Sequence, residues 1–425
     1  MNGKDEMKAF KTQPARGTQD FYGASAELYR KIDETGLQTS KLYGYEEIRT
    51  PIFEFSEVFH RSLGETSDAV SKETYSFQDR GGDEITLRPE GTAGVARAFI
   101  SNGLQQHLPL KYYYSGPMFR YERPQKGRFR QFHQVGVEHL GVESPTADVE
   151  CIALGMHFLD RLGLSSKVSL ELNTLGDTES RARHREELVQ FLSQFKAELS
   201  LESQERLQKN PLRILDSKDP KDRKILEGAP ALGQFLSDSS KSFFDAVQNQ
   251  LTALKVNFKL NQNLVRGLDY YTHTVFEISS EHLGAQSAVL AGGRYNGLIE
   301  MLGGPAVPGL GWASGIERLM LLLEGQPSAE IDSLVCVLPV SESNLTFGLQ
   351  VSQQLRQKNY YVELLETGNI SKKMKRANKM NASWALIIGD DEMAAQKFTA
   401  KNLKSGEQEL LGLEDFTKKT NSTMN

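Results

Sequence analysis

The sequence predicts an α+β protein: a strand-rich region interrupted by helices, followed by a smaller module in which strands and helices alternate. Three observations carry that reading. Aromatic and β-branched runs bracket a turn within residues 119–134, residues 177–254 are charged, amphipathic and poor in strand formers, and beyond residue 331 short apolar runs alternate with helical patterns. With 425 residues, 39% of them apolar and 25% charged, the chain has an ordinary globular composition and a length that suits roughly two or three domains.

Residues 24–42 have a helical apolar period and predict a first helix. KYYYSGPMFRYE and RFRQFHQVGVEHLG read as strands, and PQKG between them has turn chemistry, so the unit is a hairpin with a basic tip. On one arm Arg120 and Glu122 are two residues apart and share a face; on the other, Arg128, Arg130 and Phe132 do the same. A second helix is expected over residues 146–162, then the alternating strand KVSLELNTLG. Breaks at NPLRILDSKDPKD and GAP punctuate the helical insertion over residues 177–254. Strands resume with FKLNQNLVRGLDYYTHTVFEISS and AQSAVLAGGRYNGLIEML. PGLGWASGIERLMLLLE is a Gly-rich strand running into an apolar helix, which puts Arg318 in or near the first helical turn. GQPSAEID, residues 325–332, has linker composition. LVCVLPV, a helix over residues 344–358, YYVELLE, a basic helix and WALIIGD then predict a mostly parallel sheet with covering helices, and the final TKKTNSTMN is expected to fray.

Composition excludes several classes. No apolar run approaches the ~20 residues needed to span a bilayer, and MNGKDEMKAFKTQ at the start lacks the apolar core of a signal peptide, so a cytoplasmic location and no membrane partner are expected. Cys151 and Cys336 lie far apart in apolar contexts without metal-ligand spacing and read as buried thiols; no resident metal is expected. The net charge of −5 argues against non-specific nucleic-acid binding but leaves room for an RNA held by local patches. From residue 331 onward 12 Lys and Arg face 11 Asp and Glu, yet Lys372, Lys373, Lys375, Arg376 and Lys379 crowd into one helix, which fits a phosphate contact or a solvated face.

The hairpin carries the chemistry. FRYERPQKGRFRQFHQ holds five cationic residues and one carboxylate, a density that calls for an anion. Arginine grips phosphate through a bidentate fork, an aromatic ring stacks on a base, and a carboxylate accepts from an exocyclic amine, so the set suits a nucleotide. A solvated hairpin with Arg and Glu paired across it fits the same residues. Arg318 near a helix start opposes the positive end of the helix dipole, a cost that bound polyphosphate would offset; the alternative is an Arg paired with Glu317 or Glu324.

Together these two segments resemble motifs 2 and 3 of class II aminoacyl-tRNA synthetases, and LVRGLDYYT and AGGRYNGL are similar to the two signatures peculiar to the histidyl-tRNA synthetase family. ARGTQDF, GYEEIRTPIFE as motif 1, LTLRPEGT and the C-terminal α/β region extend the resemblance over nearly the whole chain. It implies a class II catalytic domain over residues 1–325, a mostly antiparallel sheet flanked by helices. A helical insertion domain at residues 177–254 would interrupt it and reach toward the tRNA acceptor stem, and residues 331–425 would form an anticodon-binding α/β domain. The implied activity is ATP-dependent attachment of L-histidine to tRNA(His) through a histidyl-adenylate, with release of AMP and pyrophosphate.

Such a step needs no general base, because a carboxylate is already ionised at neutral pH, and it leaves no need for a nucleophile motif such as GxSxG. It needs cations where charge develops on phosphoryl oxygens. By match to the motifs, Arg120 would hold the α-phosphate and the carboxylate, Arg128 and Arg318 the outer phosphates, Phe132 would stack on adenine and Glu122 accept from its amino group. Arg266 would stand where other class II enzymes can place magnesium, making Arg266 and Arg120 the catalytic pair. Glu90, Gly91 and Thr92 of RPEGT, with Gln134, would meet the substrate ammonium. Glu138 would accept an imidazole N–H, and Tyr270 and Tyr271 would wall the ring, discrimination that rests on buried hydrogen-bonding groups. Adjacent tyrosines in a regular strand face opposite ways, so both reach substrate only if the backbone is irregular there. Trp312 stands in motif 3 where Phe is commoner. Mg2+ would arrive with ATP, and motif 1 would form the interface of a homodimer. The alternative is the non-catalytic relative that regulates ATP phosphoribosyltransferase, which tends to lose the motif residues and the C-terminal module; here Arg120, Glu122, Arg266 and Arg318 are present and about 95 residues follow the core.

Overall fold

The computed structural model describes residues 12–63, 73–217, 219–265, 270–325 and 334–421. The LGETSDAVSKETY loop falls mostly outside them, as do the linker from residue 326 and the stretch 266–269 that carries Arg266. The chain divides at Gly325 into two compact units.

In the first unit, chain order runs α1 (Ala24–Leu42), β1 (Glu46–Glu47), β2 (Phe53–Phe55), α2 (Ser56–Leu63), β3 (Tyr75–Gln78), β4 (Glu84–Leu87), α3 (Thr92–Ser101), β5 (Leu110–Phe119) and β6 (Gln131–Leu140). It continues with α4 (Pro145–Arg161), β7 (Ser169–Thr174), α5 (Thr178–Ser193), α6 (Leu201–Lys209), α7 (Pro220–Leu226), α8 (Asp238–Ala253), β8 (Lys259–Leu260) and β9 (Thr272–Ser279). The unit closes with β10 (Ala288–Arg294), α9 (Leu298–Met301), β11 (Gly309–Gly315) and α10 (Ile316–Leu323).

Eight of these strands form one sheet in the order β1-β5-β6-β11-β10-β9-β7-β8. Every pair is antiparallel except β1 with β5 and β7 with β8 at the two edges, which agrees with the mostly antiparallel core expected. The sheet feeds two apolar cores. Val135 and Val137 of β6 pack with Ile152 and Phe158 of α4, Val247 of α8 and Leu319 of α10, whereas Leu140, Val275, Tyr270 and Tyr271 pack with Phe59 of α2 and Ala93 and Phe99 of α3. Adjacent Val275 and Phe276 of β9 divide between the two, as strand alternation requires. Trp312 belongs to the first core: its indole N–H donates to the Cys151 carbonyl at 3.0 Å and its ring stacks on Phe158 at 5.9 Å. Both cysteines are buried free thiols.

No described residue between Thr178 and Ala253 is in a strand. This helical stretch has a small core of its own, with Leu188, Leu192, Leu199, Leu207 and Ile214. Asp177 ties its two ends together, capping α5 through the Ser180 N–H at 2.7 Å while accepting from the Ser237 hydroxyl at 2.5 Å.

The second unit contains β12 (Val335–Pro339), α11 (Leu345–Gln357), β13 (Val362–Leu364), α12 (Ile370–Lys379), β14 (Trp384–Ile388), α13 (Asp390–Ala394), β15 (Phe398–Asn402), β16 (Gln408–Leu411) and α14 (Leu413–Asn421). Its five-stranded sheet has the order β13-β12-β14-β15-β16. Two structural details depart from the sequence expectation. The three strands read from the sequence, β13, β12 and β14, are parallel, but the sheet as a whole is mixed, because β15 adds antiparallel to β14 and the short turn around Gly406, whose φ is 79°, folds β16 back against β15. Of the run expected to fray, residues 417–421 continue α14, anchored by the fully buried Phe416 and by Thr420, 4% exposed, whose hydroxyl meets Tyr360 at 2.5 Å, and residues 422–425 lie outside the described residues. No helix among the described residues is long and apolar enough to cross a membrane.

Candidate active site

Three chain connections converge on one cavity of about 200 Å³: the β5–β6 hairpin, the β4–α3 junction that carries RPEGT, and the β11–α10 junction. Its lining includes Glu90, Thr92, Arg120, Glu122, Arg128, Phe132, Gln134, Tyr270, Tyr271, Tyr295 and Arg318. The hairpin is regular from Leu110 paired with Leu140 to Phe119 paired with Gln131, so Arg120 to Arg130 form its irregular tip. Face-sharing therefore fails for Arg130. Its guanidinium lies 3.9 Å from the Tyr121 ring centroid and its Nε donates to the Glu122 carbonyl at 3.3 Å, away from the cavity lining.

At the cationic end, Arg120 donates through Nε to the Pro89 carbonyl at 2.9 Å and its guanidinium sits 5.3 Å from the Phe132 ring centroid. Glu122 pairs with Arg128 at 3.0 Å and lies 3.9 Å from Arg120. The pairing across the hairpin and the cavity-lining position thus coexist. Arg318 is the third residue of α10, and its Nη1 donates to the Ala288 carbonyl of β10 at 2.7 Å. Its neighbour Glu317, which also lines the cavity, accepts from the backbone N–H and Nδ1 of His133 at 3.0 and 2.9 Å. Burial first, and then the adjacent Arg128 charge, push the Arg318 guanidinium below its ordinary pKa. Three guanidinium groups brought together here, with the Arg318 charge opposed by Arg128 and Arg120, make a site whose repulsion a bound polyanion would relieve.

The other end is polar but largely neutral. Both oxygens of Glu90 accept from the start of α3, from the N–H groups of Thr92 at 2.6 Å and Ala93 at 2.8 Å. Burial nevertheless raises its carboxyl above the ordinary range. Gly91 is buried behind the wall, where a Cβ would overlap the Tyr114 ring. Gln134 lines the cavity with a buried Oε1 that has no hydrogen-bond partner among the described residues. Glu138 lies one step back on the same face of β6, outside the lining, where its oxygens accept from the Thr92 hydroxyl at 2.6 Å and from the Tyr295 hydroxyl. Burial pushes it up to about 8. Gly311 of β11 lies directly opposite, and a Cβ there would overlap Glu138 Oε2, so the glycine makes room for the carboxylate.

Tyr270 and Tyr271 both line the cavity, with ring centroids 4.7 Å apart. The irregular backbone that this requires is present: His273 has φ 43°, and the β9–β10 register shifts between Gly293 and Arg294. Tyr295, 5.7 Å from Tyr270 centroid to centroid, was not singled out by the sequence, although AGGRYNGL drew attention to its neighbourhood. Arg294 in the same segment is fully buried away from the cavity. It pairs with Asp148 and donates to the Val142 carbonyl at 2.8 Å, which fastens the start of α4.

A family model described as histidyl-tRNA synthetase matches residues 17–319, and one described as anticodon binding domain matches residues 334–423. The histidine–tRNA ligase of Rhodospirillum rubrum is 51% identical over 401 residues, covering 94% of this chain and 96% of that one. That of Gluconacetobacter diazotrophicus is 49% identical over 405 residues, covering 95% and 97%. Among solved structures, apo histidyl-tRNA synthetase from S. aureus shares 34% identity and a TM-score of 0.82, over 96% of this chain and 100% of that one. With likeness of sequence and of fold both spanning nearly the full length, the chain belongs to the histidyl-tRNA synthetase family.

Proposed function

We propose that this chain attaches L-histidine to tRNA(His) in two steps with ATP as co-substrate. In the first, an oxygen of the histidine carboxylate attacks the α-phosphorus of ATP. The bond from that phosphorus to the α–β bridging oxygen breaks, and pyrophosphate leaves with the electron pair. In the second, a hydroxyl of the terminal tRNA ribose attacks the carbonyl carbon of the histidyl-adenylate and AMP departs. Arg120 and Arg266 hold the α-phosphate as charge develops, Arg128 and Arg318 hold the outer phosphates, Phe132 stacks on adenine and Glu122 accepts from its amino group. Glu90, Thr92 and Gln134 receive the ammonium, with Gly91 packed behind them, while Glu138, Tyr270 and Tyr271 select the imidazole. Mg2+ travels with the triphosphate as part of the nucleotide; among the described residues no group of three or more His, Cys, Asp or Glu side chains is arranged to hold a metal.

The observation that carries this reading is a single cavity with Arg120, Arg128 and Arg318 at one end and Gln134, Tyr270 and Tyr271 at the other. Pre-placed cations are what an anionic nucleophile attacking a phosphate requires. A regulatory role without catalysis is disfavoured by the retained arginines and by the match to the anticodon binding domain. The reading includes a cytoplasmic location, a homodimer formed through the GYEEIRTPIFE segment, and tRNA contact by the second unit.

Histidine-dependent exchange of labelled pyrophosphate into ATP tests it. The full chain is expected to exchange with histidine and not with other amino acids. Arg120→Ala and Arg266→His are each expected to lower kcat by roughly 10²- to 10³-fold, the usual loss for one pre-placed charge-stabilising donor. Exchange that ignores which amino acid is present would end the proposal.

A further inference from the structure

Arg318 stands between two spaces. On one side is the cavity described above; on the other is a smaller pocket of about 50 Å³ lined by Lys126, Gly127, His282, Leu283, Arg318 and Leu321. Gly127 and Arg318 belong to both walls, so the two spaces adjoin. The polar groups of the small pocket come from three elements. Lys126 is at the hairpin tip, His282 is in the 3₁₀ turn Glu281–Gln286 after β9, and Arg318 is in α10. The tip rests closely on the helix: Gly127 has φ 74°, and a Cβ there would come within 3.1 Å of Leu321 Cδ1 and 3.5 Å of Arg318 Cγ. Lys126 is exposed and makes neither hydrogen bond nor ion pair among the described residues, and His282 is exposed as well. The adenylation contacts assigned above use neither side chain.

We propose that this side pocket is the first exit station of pyrophosphate, where Lys126 and His282, together with Arg318, take one phosphoryl group of the leaving product. The inference rests on the synthetase reading and deepens it. When the α-phosphorus to bridging-oxygen bond breaks, the leaving oxygen takes the electron pair. The β-phosphate then carries an additional negative charge beside the adenylate phosphate, and the product is no longer tethered to the nucleoside. Repulsion between the two anions favours movement toward a cation outside the main cavity, and Lys126 lines the pocket on the far side of Arg318. A lysine ammonium contributes a mobile point charge with three donors, and an imidazole contributes an N–H donor in either protonation state. The pocket is small and lined by Lys126, His282 and Arg318 without a Phe, Tyr or Trp ring on which a base could stack, which suits a phosphoryl group.

The experiment is the exchange assay on the full-length chain carrying Lys126→Ala, His282→Ala or both. The KM for pyrophosphate is expected to rise about three- to tenfold in each single variant and further in the double one, the range for a partly solvated charged contact. Product inhibition of adenylate formation by pyrophosphate should weaken in step, the KM values for ATP and histidine should stay unchanged, and Lys126→Arg should keep the parent values. An unchanged pyrophosphate KM in the double variant overturns the proposal. So does a parallel rise for ATP, which would make the two side chains ordinary holders of its terminal phosphate. Absence of histidine-dependent exchange in the unmodified chain would instead remove the synthetase reading beneath it.

Discussion

Glu138 shows what one buried carboxyl does to this molecule. It is 1% exposed, and its proton, ordinarily lost near pH 4.5, is held to about pH 8 by burial, against the pull of the Thr92 and Tyr295 hydroxyls. The folded chain therefore binds more protons than the unfolded chain between those two values. The stability linked to this group is fully present below about pH 4.5 and is lost as pH rises through about 8. Glu90, also buried and shifted upward, slopes the same way, so the parent curve contains both and only the difference from a Glu138 variant isolates one. Glu138→Gln preserves shape and removes the titration. Unfolding free energies measured from pH 5 to pH 9 should show the variant gaining on the parent as pH rises, with a gap on the order of a few kcal/mol at the alkaline end. Above about pH 8, where the parent carboxyl is ionised and accepts through both oxygens, the same variant should lose much of its preference for histidine in exchange, because an amide presents a donor beside the single acceptor it keeps. Parallel stability curves would show that Glu138 titrates as it does in water.

The hairpin and the glycine-bearing strand β11 show which parts of the site local sequence reveals. Strand runs, the turn between them and the helix starting after Gly315 follow from composition and period, and the structure has them, with the two strands stopping three residues short of the runs at the hairpin tip. Alternation held where the ladder is regular and failed beyond Phe119 and before Gln131, which is why Arg130 lies against Tyr121 although its spacing matched that of Arg128 and Phe132. Contacts between distant segments were beyond local reading. Glu317 meets His133 and Tyr295 meets Glu138, partners 184 and 157 residues apart, and nothing in either neighbourhood announces the other. β11 concentrates the steric demand. Gly311 faces Glu138 and Gly309 faces the Tyr295 ring, so the two glycines make space for a carboxylate and for the phenol that donates to it. Gly311→Ala would drive a methyl into Glu138 Oε2 and the Val137 carbonyl. Its expected cost is about 1–3 kcal/mol of stability by overpacking, with a larger effect on the KM for histidine than on that for ATP. Equal effects on both KM values would show that the strain spreads across the cavity and does not stay at the imidazole end.

At the scale of the molecule, each unit has its own buried clusters. The first unit nevertheless leaves one apolar face uncovered. β2, β4 and β3 form a three-stranded sheet whose inward side is polar: Glu54 pairs with Arg97 at 2.5 Å, and the hydroxyls of Ser56, Thr86 and Ser76 join at 2.7 Å. The outward side carries Phe53, Phe55 and Phe77, exposed by 57%, 59% and 50%, with Phe55 and Phe77 both opposite Ile85 in the register. This inverts the usual pattern for a half-solvated sheet, and a row of phenylalanines in water is the signature of an interface. Its strand β2 begins at the end of the motif 1 segment GYEEIRTPIFE, through which the homodimer is proposed. Two-fold symmetry makes every interface substitution count twice, once on each protomer. If Phe55→Asp costs about 2 kcal/mol per side, as a central aromatic anchor does, the dimer weakens on the order of 10³-fold. Phe55 is exposed within its own unit, so the variant should keep the far-ultraviolet circular dichroism of the parent while its mass by sedimentation at micromolar concentration falls from two chains to one. A parent that sediments as a single chain, or a Phe55→Asp variant that remains paired, would mean that this face has some other partner.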